Sequence, residues 1–317
     1  MSAPILVLAL IRWLDFAAFA VVAGAAGLDL VVLPRGPAEL ELPRRALRRL
    51  SLRAAGVLLL TSTAELGLRA LTLAGGGIET AAAALPSVLA RTHFGSLWLT
   101  RAGALALLCL LLRAGHRFAS AALPLPIAAV ALATSLTGHA ADRGDVSLVA
   151  LADWLHVLAS ATWTGGLLGL GYLALGKPGA PARLGEWARR FSRLAGLCLL
   201  GVVVSGVYRA WIELAGVSAL WSTDYGRVLA VKLAFVLGLV GLGAVNRFRV
   251  LPALSPGGRR GCAVSHDAPE ALFWRLVARE AALALIVFAC TALLVQLTPS
   301  RHLHHHASEA RSARLSS

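Results

Sequence analysis

Eight apolar runs, each long enough to cross a bilayer, dominate this 317-residue chain: 5–33, 52–74, 97–114, 120–138, 150–175, 192–216, 226–246 and 273–298. A helix rising 1.5 Å per residue needs about 20 apolar residues to span a hydrocarbon core of about 30 Å. None of the runs alternates in the manner of a barrel strand. The reading is an all-α polytopic membrane bundle of eight transmembrane helices, with the lipid bilayer as its first partner. Residues are 58% hydrophobic and 15% charged, too little polarity to cover a water-soluble surface. The first run carries Arg12 and Asp15 and lacks a basic leader, so it reads as a retained helix.

The formal net charge of +14 would suggest nucleic acid in a soluble chain, but the basic residues follow topology instead. Loops 34–53, 113–119, 176–193 and 247–279 hold 19 Lys and Arg, whereas 75–97, 139–149, 217–225 and the tail from 299 hold 5. Basic loops stay cytoplasmic. Both termini are therefore expected outside the cytoplasm, and no nucleic-acid partner is expected. Cys109, Cys198, Cys262 and Cys290 are scattered without a CxxC, which points to small buried hydrophobes rather than a thiolate cage.

The second half echoes the first. "RWLDFAAFAVVAGAAG" (12–27) overlays "DWLHVLASATWTGGLLG" (153–169), setting Trp13 on Trp154, Asp15 on His156 and Gly24 on Gly165. "RAL" (69–71) overlays "RAW" (209–211), "THFGSLWLTR" (92–101) overlays "TDYGRVLAVK" (223–232), and "SLT" (135–137) overlays "QLT" (296–298). Four matches in one order predict a four-plus-four duplication. An even number of helices per unit makes it a parallel repeat about an axis along the membrane normal. The expected units are 1–138 and 139–298, followed by a His-rich tail, 299–317. "SPGGRRGCAVSHDAP" (255–269) reads as a cytoplasmic connector.

Ionisable groups in hydrocarbon are costly and usually paired or functional. Here they are Arg12, Asp15, Glu65, Arg69, Arg101, His156, Arg209, Glu213, Lys232 and Glu280. Glu65 with Arg69, and Arg209 with Glu213, have i,i+4 spacing and read as pairs. Trp98, Trp221 and Tyr225 fit an outer aromatic belt. On the fifth run, Asp153, His156, Ser160, Trp163 and Leu167 share one face, and Gly165, Gly166 and Gly169 allow close helix approach. His156 lies roughly 9 Å below the outer end of its helix.

His139 closes the fourth run. Residues 139 and 156 are equidistant from the turn between antiparallel helices, which sets both imidazoles at similar depth near the outer face. Imidazole is the commonest side-chain metal ligand. His93, in the next outer loop, is a candidate third ligand, Asp15 and Glu65 are candidates deeper in, and Asp142, Asp145 and Asp153 could orient the rings. His302, His304, His305 and His306 form a tract able to bind metal. Two level histidines could equally be the axial ligands of one haem b. No hydrolase triad or phosphate loop is visible, so an enzyme is not expected.

"GHA" (138–140), "DWLHVLASATWTGG" (153–166), "FSRLAGLCLLGVVVSGVYRAW" (191–211) and "TDYGRVLAVKLAFVLGLVGLGAVNR" (223–247) resemble the CopD family of copper resistance proteins. The resemblance implies an eight-helix, multi-pass protein of the bacterial inner membrane, in which the charge-derived topology sets both termini in the periplasm. It implies copper transport or acquisition as the function, copper as the bound ion, and a periplasmic CopC-like copper-binding protein as partner. By position, His139 and His156 fall in the motifs associated with a metal site, and Trp154, Trp163, Gly165 and Gly166 belong to the surrounding pattern. Met1 is the sole methionine, so no thioether ladder for Cu(I) exists, and an imidazole–carboxylate site suits Cu(II) better.

Overall fold

The computed structural model describes residues 3–34, 41–75, 77–114, 117–137, 147–175, 184–214, 216–254 and 267–297. Apolar sequence without turn signals becomes helix throughout. The elements are α1 (Ala3–Gly27, continued by a π-helical turn, Leu28–Val32), α2 (Glu41–Leu73), α3 (Ile78–Arg91), α4 (His93–Ala114), α5 (Arg117–Ala122) and α6 (Pro124–Leu136). After these come α7 (Leu148–Leu175), α8 (Leu184–Glu213), α9 (Ala219–Ser222), α10 (Asp224–Val245, continued by a π-helical turn, Asn246–Val250), α11 (Leu251–Ala253) and α12 (Asp267–Leu294). Eight helical stretches are long and apolar enough to cross a membrane, one for each run expected from sequence.

One loop expectation is corrected. Segment 75–97 contains α3, an amphipathic helix that carries Pro86 in its interior and buries Ala81 and Val88, seven residues apart and so on one face. Period-3.6 patterning in a stretch too short to span the membrane was the overlooked signal.

The bundle is organised about α1 and α7, which pack directly together. Their crossing depends on Gly24 and Gly165. A Cβ on Gly24 would stand 1.9 Å from the Gly165 carbonyl carbon, and one on Gly165 would stand 1.6 Å from the Ala20 carbonyl oxygen. Only hydrogen fits at such a contact, and small residues of this kind let helix backbones gain dispersion contacts in lipid. Two buried cores flank the crossing. One gathers Phe19, Val22, Leu58, Leu105, Leu108 and Val130 from α1, α2, α4 and α6. The other gathers Trp163, Leu167, Phe191, Leu239, Phe273 and Val277 from α7, α8, α10 and α12.

The helices α4 and α10 start identically. Thr92 Oγ1 accepts from the Gly95 N–H at 2.9 Å, and Thr223 Oγ1 accepts from the Gly226 N–H at 3.0 Å. Each hydroxyl also donates back to a carbonyl four residues earlier, Val88 or Ala219. Threonine thereby satisfies one of the orphan N–H groups of the following helix.

Apolar faces of α8 and α10 point outward: Leu197, Leu200, Val207 and Leu237 are each more than 60% exposed. Such faces are stable only against lipid. Buried polar residues instead concentrate inside, and they position the site.

Replacing Gly165 by Ala is expected to destabilise the bundle by at least about 1–3 kcal/mol, the cost of forcing a methyl into a closed contact. Gly103→Ala, where a Cβ meets nothing within 4 Å, serves as the neutral control. Thermal unfolding of both purified variants in detergent measures the difference, and equal midpoints would refute the crossing as a constraint.

Candidate functional site

Two polar clusters lie within the bundle. The first joins α1, α2, α4 and α6 through Asp15, which is 1% exposed. Arg101 Nη2 donates to Asp15 Oδ1 at 2.6 Å, and Thr61 Oγ1 donates to the same oxygen at 2.7 Å. Arg101 Nη1 also donates to Thr134 Oγ1 at 3.1 Å. Beside this node Arg12 Nε lies 3.0 Å from Glu65 Oε1. Two guanidinium groups balance two carboxylates, which is what makes the cluster tolerable in an apolar interior.

The second cluster joins α7, α8 and α10. Arg209 forms ion pairs with Asp153 through Nη1 and with Glu213 through Nη2, the latter at 2.9 Å. Tyr225, 5% exposed, donates its hydroxyl hydrogen to Glu213 Oε2. His156 packs against α8, where Gly206 leaves room for the ring: a Cβ there would stand 3.2 Å from His156 Cε1. His156 Nδ1 is 3.0 Å from Ser205 Oγ.

The tautomer of His156 follows from counting hydrogens. Ser205 donates its single hydroxyl hydrogen to the Gly201 carbonyl at 2.5 Å. It has none left for the imidazole, so Nδ1 carries the hydrogen and donates to Ser205 Oγ. On that count Nε2 is the lone-pair nitrogen; the Val202 backbone also lies within hydrogen-bond reach of the ring. This is how outer groups hold a metal-ligating imidazole. Lys232 and Arg209 are near enough to act on the ring electrostatically. Lys232 makes no hydrogen bond or ion pair among the described residues, so its charge is balanced only at longer range, by Glu213 and Asp153.

The candidate ligands expected from sequence do not converge. His156 occupies the second cluster, whereas Asp15 and Glu65 lie in the first, each engaged by an arginine. His93 is exposed at the start of α4, not in a loop. His139, Asp142, Asp145, Cys262 and the terminal histidine tract lie outside the described residues. Among the described residues, no group of three or more His, Cys, Asp or Glu is placed to hold a metal. Cys198 and Cys290 are buried and unbridged, as expected of small hydrophobes.

Three side-chain expectations change. Glu65 pairs with Arg12 across helices, while Arg69 turns outward and stacks 4.3 Å over Phe94. A guanidinium over an aromatic face gains a cation–π contact without entering the interior. Asp153 pairs with Arg209 rather than orienting an imidazole. Tyr225 is no belt residue: its ring is buried and its hydroxyl serves Glu213. The sequence reading also missed Thr61 and Ser205, each four residues before a recognised ionisable group and so on the same helix face.

An all-helical bundle with eight membrane-capable helices and charge-balanced polar nodes defines a multi-pass membrane protein. Residues 1–148 match the family described as copper resistance protein D-like, N-terminal domain, and residues 185–294 match copper resistance protein D. The chain belongs to the copper resistance protein D family. It is 32% identical over 118 residues to copper transport protein CutJ of Bacillus subtilis (strain 168), covering 36% of this chain and 22% of that protein. It is 30% identical over 187 residues to copper resistance protein D of Pseudomonas syringae pv. tomato, covering 55% of this chain and 59% of the relative. The chain thus spans less than two thirds of either relative. No solved structure matches it.

Removing Arg101 would strand Asp15 in the interior. Arg101→Met should cost roughly 3–5 kcal/mol, the usual consequence of orphaning one partner of a buried pair. The double variant Arg101→Met, Asp15→Asn should recover most of that loss. Thermal unfolding of the three proteins tests this, and a double variant no more stable than the single one would contradict it.

Proposed function

We propose that this protein binds copper ions and carries them across the bacterial inner membrane, and that it is not an enzyme. The observation that carries the reading is His156, an imidazole set among α7, α8 and α10 and held through Nδ1 by Ser205, an arrangement that makes Nε2 the nitrogen able to bind an ion. The names of the family and of both relatives supply copper as the cargo. Imidazole nitrogen suits the borderline ion Cu(II). His139 is the proposed second ligand, with His93 and the terminal histidines delivering the ion from the periplasmic side. A CopC-like protein is the proposed donor. A cation reaching Asp15 or Glu65 would have to displace Arg101 or Arg12, so capture is assigned to the imidazoles.

The proposed topology sets the four basic loops in the cytoplasm and both termini in the periplasm. His156 lies eight residues into α7, about 12 Å from its start on the periplasmic side. We further propose that the bundle is a parallel duplication. In support, Gly24 and Gly165, equivalent positions, touch each other, as residues on a two-fold axis do. The matched threonine caps on α4 and α10 also support it.

Copper titration of the purified protein tests the site. His156→Ala should abolish high-affinity binding, and Ser205→Ala should weaken it by about 10- to 100-fold through loss of the held tautomer. Lys232→Met should tighten binding severalfold, because a like charge leaves the imidazole. A His139→Ala, His156→Ala variant that binds copper like the parent would remove the assignment. Copper flux into proteoliposomes separates a carrier from a binding scaffold.

A further inference from the structure

Glu280 stands apart from both clusters. It lies on α12, ten residues from the start of the membrane-capable stretch Glu270–Leu294, and is only 3% exposed. It forms no ion pair with any described residue. Among the described residues its one hydrogen bond comes from Asn246 Nδ2 to Oε1 at 3.2 Å. Asn246 is itself buried, and its Oδ1 has no partner. The carboxyl group faces Gly243 on α10, where Oε2 would lie 3.8 Å from a Cβ.

The charged groups on the elements packed against α12 are engaged elsewhere or exposed. Arg12 and Asp15 of α1 pair with Glu65 and Arg101, and Asp153 of α7 pairs with Arg209. His156 of α7 is held by Ser205, and Arg247 donates to the Ser192 carbonyl. Asp224 and Arg227 pair with each other at the far end of α10, and Lys232 belongs to the second cluster. Arg249, Arg275 and Arg279 are exposed, and Glu270 accepts from Trp274. No described residue near Glu280 neutralises an ionised carboxylate, and an uncompensated charge in such surroundings is costly.

We propose that Glu280 and Asn246 form a membrane-embedded proton-binding site. A proton converts the carboxylate to a neutral acid, and the new O–H is the donor that the Asn246 Oδ1 acceptor lacks. The helix opens there. The π-helical turn Asn246–Val250 begins at this residue, its carbonyl accepting from the Leu251 N–H, and such turns are frequent at functional sites. Exposed Arg247 and Arg249 follow directly, so the proton reaches Glu280 from the basic-loop end of α10. The opposite end of α10 carries the His156 cluster. Building on the transport reading above, the site couples proton movement to ion movement, with one proton bound or released per cycle and no redox change.

Infrared difference spectroscopy of the purified protein in lipid tests the site without copper. A protonated carboxylic acid band should be present at neutral pH, vanish in Glu280→Gln, and shift but persist in Asn246→Ala. Glu280→Gln preserves the shape and neutrality of the protonated acid, so it should fold. Absence of the band from the parent protein, the outcome expected of an ionised carboxylate holding a monovalent cation, or persistence of the band in Glu280→Gln, overturns the proposal. Proteoliposome flux tests the coupling: copper uptake by the parent should respond to an imposed pH gradient, and Glu280→Gln should lose that response. A parent without copper flux but with the Glu280 band would refute transport while leaving the proton site. A parent whose flux ignores the pH gradient would refute the coupling.

Discussion

The contact between Gly24 and Gly165 governs the arrangement of everything else. Lipid tails are as apolar as leucine, so burying leucine against leucine offers little net drive for helices to associate in a bilayer. Close backbone approach provides that drive through dispersion. A Cβ added to either glycine would lie less than 2 Å from the backbone of the other helix, so at this crossing α1 and α7 pack backbone against backbone. Each then becomes the inner wall of one polar cluster: Asp15 projects from α1 toward α2 and α4, and Asp153 and His156 project from α7 toward α8 and α10. Tryptophans stitch the two halves, since Trp13 donates to the Leu285 carbonyl and Trp154 donates to the Ala128 carbonyl.

Charge compensation is the second constraint, and it acts differently in the two clusters. Around Asp15, every formal charge has a direct partner. Around His156, Arg209 is shared by two carboxylates while Lys232 has no direct partner among the described residues. The second cluster is therefore balanced only as a group.

Helix number and membrane class were legible in the sequence because apolar runs of this length have one physical solution in lipid. The polar positions were legible for the same reason, since ionisable residues stand out against hydrocarbon. Their partners were not. Spacing along one helix suggested that Glu65 meets Arg69, yet the tertiary fold brings Arg12 from α1 into reach and leaves Arg69 beside Phe94. Helix α3 was hidden because its amphipathic pattern is too short for a span and lies between two longer runs. Ser205 was hidden because a serine in an apolar helix carries no signal until the imidazole it holds is placed against it.

The overlay of the two halves sets their polar groups side by side. Asp15 aligns with His156 and Arg101 aligns with Lys232, so a closed acid–base pair in one half is answered by two bases in the other. Arg12 aligns with Asp153, and Arg69 with Arg209, so the ion pair between first and second helices survives with altered sign and partner: Arg12 with Glu65, Asp153 with Arg209. The first half has spent its polar groups on holding four helices together. The second half holds Asp153, Arg209 and Glu213 as its paired groups and carries an imidazole where the overlaid position of the first half is a carboxylate. An aspartate at that depth needs a permanent counter-charge, whereas a neutral imidazole does not, so the two positions make different demands on the helices around them.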